Sequence, residues 1–215
     1  VPFIPYSAMK GDNFIKESTN MPWYKGCTVK ALDGSTVNVV TLLNALNDYV
    51  KVPKRDTKSA VRMPVSNLCN VKGIGSIICG RLEQGTIKPG DEVVFLPQHN
   101  ESNPCGGKIF SIEMHHKSQP SAEAGDNVGL NIKGLNKDYM PGHGSIMVLK
   151  SDSLRTAKRF TTQAQVLDHP GELKVGYCPI GLVRTSKAPI RMAAINWKIG
   201  KETGNAKLEN PPFIK

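Results

Sequence analysis

Aromatic residues, long apolar runs, paired cysteines and a phosphate-binding lysine are scarce or missing from this chain, and each absence excludes something. Only 6% of the 215 residues are aromatic, and they form no stacking platform in the strand-like runs, which weighs against a stand-alone barrel that binds single strands by base stacking. The longest uncharged apolar stretches fall far short of the roughly eighteen residues a membrane helix needs. No charged-then-apolar leader opens the chain. The expectation is a cytoplasmic protein with no membrane contact. The five cysteines, Cys27, Cys69, Cys79, Cys105 and Cys178, are odd in number, scattered and free of any C-x-x-C pair. They read as reduced thiols in the core or on the surface, and not as disulfides or a zinc site.

The stretch from Gly73 to Val93, GIGSIICGRLEQGTIKPGDEV, resembles a nucleotide loop and fails as one. Gly75 and Gly80 have Walker spacing, but Arg81 and Leu82 follow where a lysine and a hydroxyl would reach phosphate and magnesium. The dinucleotide fingerprint fails as well, because its third glycine position is Ile78. An apolar run from Ser76 to Cys79, a Lys88-Pro89-Gly90-Asp91 turn tetrad and a second apolar run from Glu92 to Leu96 instead spell strand, turn, strand. The glycines then serve bends and turns.

Twenty-eight basic residues against eighteen acidic ones give a formal charge of +10, which attracts polyanions, most simply RNA. The densest cluster, Lys51 to Lys58, contains a proline and no apolar periodicity, so it reads first as a solvated linker. One helix is expected, from Val37 to Val50. Val39, Leu42, Leu43, Leu46 and Val50 fall on one stripe, with Ser35 or Thr36 as cap. Val1 to Ile4 reads as a strand, so residues 1–51 look like the end of an α/β domain. After a linker at 52–59, short alternating runs such as Val61 to Val65, Ile109 to Met114, Val128 to Ile132 and Ile146 to Leu149 predict an all-β barrel over 60–150. A polar break follows. Phe160 to Leu167, Tyr177 to Val183 and Ile190 to Ile199 then read as strands of a second, partial β-barrel over 155–215. With no initiating methionine, and with strands expected to be cut at both termini, the chain reads as a fragment of a longer one.

Several segments together carry a family resemblance. Gly11-Asp-Asn13, Asn20-Met-Pro-Trp-Tyr-Lys-Gly26, Gly73 to Val93, Ser111 to His116, Ala124-Gly-Asp-Asn-Val-Gly129, and His169-Pro-Gly171 with Gly176-Tyr177 occur in the order seen in translation elongation factor 1-alpha. The stretches Gly171 to Pro179 and Asn196 to Gly204 look closer to the divergent elongation factor-like proteins. The resemblance implies a fold with the C-terminal end of a P-loop GTPase domain, then a translation-factor β-barrel, then part of a second one. It also implies a GTP-dependent carrier of aminoacyl-tRNA to the ribosomal A site, with a guanine nucleotide exchange factor and, in some members, actin as further partners.

The same resemblance supplies candidate residues. Ser7, Ala8 and Met9 would fall at the fifth guanine-binding motif, near the base of bound GTP or GDP. The phosphate loop and the magnesium ligands would lie upstream, so the fragment holds no catalytic residue and no metal site. Glu113, His115, His116 and Asn127 would meet the aminoacyl end of tRNA. A backbone donor and acceptor read an α-amino ester without regard to its side chain, and a carboxylate accepts from a ribose hydroxyl or an adenine edge.

Read as residues alone, Glu113 is a solvent-facing strand residue, and His115 and His116 point to opposite strand faces and cannot share a metal. His116 and Pro141 stand where the family offers arginine, which leaves Lys133 or Lys137 as substitutes for the lost basic contact. Two other readings remain. One is a related GTPase with different cargo, such as a release or rescue factor or a sulfate adenylyltransferase subunit. The other is the stand-alone RNA-binding barrel.

Overall fold

The computed structural model describes residues 1–167 and 169–215. It resolves into two compact units, Val1–Lys54 and Arg55–Lys215, each taken by itself below.

In the first unit, β1 (Cys27–Lys30) pairs antiparallel with β2 (Thr36–Val39). Gly34, with φ of 84°, turns the chain between them. The expected helix starts later than its apolar stripe suggested. The β-branched run around Val37 joins the hairpin, and Thr41, the first residue free to cap, starts α1 (Leu42–Asn44), which continues as a π-helical turn over Ala45–Tyr49. The Thr41 hydroxyl accepts from the Asn44 amide at 3.1 Å while the Asn44 side-chain oxygen accepts from the Thr41 amide at 3.2 Å. This reciprocal pair satisfies two orphan donors of the helix start.

The expected strand at Val1 to Ile4 does not form. An extended segment gains ladder bonds only beside a neighbour, and the ladder of this unit, β1 with β2, leaves Val1 to Ile4 out.

The second unit is built on a closed barrel. Its strands are β3 (Met63–Val71), β4 (Gly75–Arg81), β5 (Thr86–Ile87), β6 (Glu92–Leu96), β7 (Gly106–Met114), β8 (Lys117–Gln119), β9 (Ala122–Glu123), β10 (Asn127–Lys133) and β11 (Ile146–Leu149). Six run antiparallel around the ring in the order β10, β4, β3, β11, β6, β7, and β7 pairs back onto β10. The short β8 adds to β7 outside the ring, and β5 pairs with β9. Inward positions alternate with outward ones, and Met63, Ile78, Phe95, Ile112, Leu130 and Met147 meet in one buried core. Each such side chain contributes about 1.5–3 kcal/mol on burial.

The Gly73 to Val93 stretch does here what a barrel requires. Lys88 to Asp91 forms a tight turn with Gly90 at φ 100°, closed by the Asp91 amide on the Lys88 carbonyl at 3.2 Å and by the Lys88 amide on the Asp91 carboxylate at 2.9 Å. Gly80 sits where a Cβ would lie 2.6 Å from the Pro64 carbonyl oxygen. Close approach of the paired β3 backbone at its irregularity between Val65 and Asn67 is what demands glycine there.

Beyond residue 150 the strands are short. Leu173–Lys174 pairs with Phe213–Ile214, Ile180–Val183 with Ser186–Pro189, and Trp197–Lys198 with Leu208–Glu209. Phe160 to Leu167, expected as a strand, forms no ladder among the described residues, and Leu167 is 79% exposed. Of the other two expected runs, Tyr177 to Val183 is a strand only over Ile180–Val183, after Pro179, and Ile190 to Ile199 only over Trp197–Lys198.

Candidate functional site

The outer face of the closing seam, where β10 lies between β4 and β7, carries the candidate residues. Val128, Leu130 and Ile132 of β10 point into the core, which turns Asn127 and Gly129 outward. Asn127 stands opposite Arg81 at the end of β4. Glu113 stands opposite Gly129 on one side and Ser118 of β8 on the other. A cleft of about 650 Å³ opens over this face, and Glu113, His115, His116, Asn127 and Arg81 all line it.

The two histidines lie elsewhere than on opposite faces of a strand. Met114 pairs with Lys117, so His115 and His116 are the two central residues of a hairpin turn, with φ of 49° and 60°. Positive φ at both positions is the signature of a type I′ turn, a geometry usually taken by Asn-Gly. The twist of β7 and β8 imposes it, and both exposed rings are lifted to the rim of the cleft. Two non-glycine residues held left-handed store local strain, which tends to persist at functional places. Among the described residues no cluster of three or more His, Cys, Asp or Glu could hold a metal ion.

The structure thus brings Glu113, His115, His116 and Asn127 together. It separates the lysine substitutes from them. Lys133 ends β10 six residues beyond Asn127, about 20 Å along the strand, and its ammonium lies 3.5 Å from the centre of the Phe110 ring. Lys137 lies further along the chain, in a 3₁₀ turn over Lys137–Tyr139. Sequence reasoning also passed over Ser66, Cys69, Cys79 and Arg81, which line the same cleft. The signal was the alternation of β4, where Ile77, Cys79 and Arg81 stay outside while Ile78 and Gly80 are buried.

Ser7, Ala8 and Met9 occupy an exposed turn of the first unit. The Ser7 amide donates to the Asp12 carbonyl at 3.1 Å, its hydroxyl accepts from the Lys10 amide at 3.4 Å, and Met9 is 98% exposed. The neighbouring Gly11-Asp-Asn motif is architectural. The buried Asp12 carboxylate accepts from the Ser18 hydroxyl at 2.7 Å and the Asn20 amide at 2.9 Å, and these hydrogen bonds hold its carboxyl below the usual range. The Asn13 side chain bonds the Pro5 carbonyl and the Ser18 amide, while its own carbonyl and that of Phe14 accept from Leu42 and Leu43 at the helix start. Every partner is internal, so these polar groups knit a loop to a helix.

Residues 75–142 match the family model of elongation factor Tu domain 2, a stretch that contains all four cleft candidates. Over all its residues the chain is 38% identical to the elongation factor 1-alpha of Cenarchaeum symbiosum and 37% identical to that of Methanosarcina mazei. The chain belongs to the elongation factor 1-alpha family. It spans about half the length of these curated relatives, 45% and 46%. As an elongation factor 1-alpha family chain it also shares its fold with a solved structure, the crystal structure of sup35 complexed with GMPPNP. That likeness has a TM-score of 0.62 at 23% identity and covers 98% of this chain and 46% of the other.

Proposed function

We propose that this chain is part of a translation elongation factor that carries aminoacyl-tRNA to the ribosomal A site in a GTP-dependent cycle, and that the cleft over the barrel seam receives the aminoacyl end. The observation that supports this reading best is the convergence of Glu113, Asn127 and the His115-His116 turn on one cleft. Glu113 would accept from a ribose hydroxyl or the edge of the terminal adenine. Backbone groups at the strained turn and at Asn127 would bracket the esterified amino group, and backbone is indifferent to the amino-acid side chain. An open cleft suits cargo of many sizes.

GTP or GDP would supply the switch between holding and releasing cargo. The Ser7 hydroxyl and the Ala8 amide would face the guanine edge, while the phosphate lysine and the magnesium ligands would come from elsewhere. Those belong to other parts of the parent protein, and residues 1–215 alone hydrolyse no GTP. The ribosome and an exchange factor are the partners such a cycle requires, and actin is a further one that the family suggests. The +10 charge supports a salt-sensitive affinity for tRNA phosphates.

The test is Glu113→Ala in the complete factor, with charged-tRNA and GTP affinities measured side by side. The expected result is weaker binding of charged tRNA, by about tenfold for the loss of a charge-assisted bond worth about 1.5 kcal/mol, with GTP affinity unchanged. Equal affinity for charged tRNA would remove Glu113 from the site.

A further inference from the structure

The wall of the cleft carries a chemical feature that cargo binding does not use. Cys69 on β3 faces Ile77 in the ladder, and Cys79 on β4 faces Asn67, so the two cysteines are diagonal neighbours on the outer face of adjacent strands. Their sulfurs lie 3.9 Å apart, with the Cys79 thiol donating to Cys69. A second donor converges on the same atom. The Leu68 amide donates to the Asn67 side-chain oxygen at 2.9 Å, which fixes the carboxamide and leaves its NH2 pointing at the Cys69 sulfur, 3.7 Å away. The sulfur of Cys69 is therefore an acceptor twice over. Cys79 is the proton-bearing member. Burial pushes its thiol above the ordinary range, and the hydrogen bond to Cys69 adds to this. Both residues are half-buried and line the open cleft, whereas Cys105 is enclosed in the core.

We propose that Cys69 and Cys79 form a dithiol modification site that closes reversibly to a disulfide under peroxide. The Cys69 thiolate attacks one oxygen of hydrogen peroxide, the O–O bond breaks, and a sulfenic acid and hydroxide result. Cys79 then loses its proton, its sulfur attacks the sulfenic sulfur, and the second oxygen leaves as water. Two thiols and one peroxide give one disulfide and two waters. Peroxide is the oxidant and is reduced. The sulfurs must close from 3.9 Å to about 2.05 Å, and because diagonal neighbours stand farther apart than directly opposed ones, closure takes a local approach of the two strands besides side-chain rotation. Only neighbours on one face of one hairpin are needed, so the reaction depends on no cargo and no nucleotide.

The experiment is a non-reducing peptide map of the full-length protein after hydrogen peroxide treatment and alkylation of the remaining thiols. A linked Cys69–Cys79 peptide should accumulate, lighter by two hydrogens than its reduced parts, and should vanish on dithiothreitol treatment. Phenylarsine oxide, which bridges two adjacent thiols, should protect both from alkylation while Cys178 still reacts. Cys79→Ser should leave the Cys69 sulfenic acid unresolved and open to capture by dimedone. Linkage of either cysteine to Cys178, or alkylation of Cys69 and Cys79 at the Cys178 rate with no linked peptide, would overturn the proposal. The wild-type map needs no variant, so a misfolded substitution cannot decide the outcome.

Discussion

Gly129 stands directly across the closing seam from Glu113, so the strand that bears the carboxylate meets no side chain there. A Cβ at this position would lie 3.1 Å from the Ile77 side chain, a crowding that a few tenths of an ångström relieve. The space the glycine leaves is part of the cleft floor.

Gly129→Ala should therefore leave the barrel folded and narrow the cleft. The unfolding free energy is expected within about 1 kcal/mol of wild type, since reduced chain entropy offsets the crowding. Charged-tRNA affinity of the complete factor should fall. Thermal unfolding and tRNA titration, run on the same preparation, separate the two effects.

Gly80→Ala should behave in the opposite way. Its Cβ would meet the Pro64 carbonyl oxygen at 2.6 Å and the Met63 side chain at 3.0 Å, and the backbone neighbour cannot swing aside. Overpacking of this kind costs about 1–3 kcal/mol. A marked drop in the denaturation midpoint is expected, and an unchanged midpoint would mean that the β3–β4 pairing relaxes around the added methyl.

His116→Gly should stabilise the hairpin turn. A left-handed conformation costs an L-residue about 1–2 kcal/mol, and glycine removes that cost while adding roughly 0.5–1 kcal/mol of chain entropy. A small rise in melting temperature is the expected outcome. A fall would show that the imidazole contributes contacts exceeding its backbone strain.

Acid should weaken the barrel through Asp152. Arg62, ahead of β3, pairs with Asp152, beyond β11, so one ion pair ties together the two ends of the ring segment. The hydrogen bond from Arg62 holds the Asp152 carboxyl below the usual range, and amides at Leu154 and Ser153 add to it. A folded-state value lowered in this way means the contribution is present above about pH 4, where the unfolded carboxylate titrates, and is lost as pH falls through the folded value. Denaturant midpoints recorded from neutral to acid pH should decline over that window in wild type. In Asp152→Asn the decline should be shallower and the neutral-pH stability lower.

Much of the barrel was legible because alternation survives in a half-buried strand. Ile146–Leu149 was delimited at both ends by its own apolar pattern and agrees with β11. The helix was harder, since a 3.6-residue stripe through Val39 ignores the preference of a β-branched run for a hairpin, and only the Thr41 cap decides between them. His115 and His116 were misread because a type I′ turn usually declares itself by glycine or asparagine. No local pattern announces two histidines forced left-handed by the strands that flank them. Cleft residues such as Cys79 and Arg81 escaped notice because facing the same opening is a property of three strands together, and each strand shows only its own alternation.

Closure of β7 onto β10 also has a consequence for self-association. An open six-stranded sheet would present two rows of unpaired amides and carbonyls to any like chain, a template for edge-to-edge growth. The ring consumes both rows and leaves as its outer appendage β8, three residues long with Lys117 at its start. Short length and charge are the properties that make a strand a poor template. The barrel can therefore meet copies of itself without offering them a long free edge.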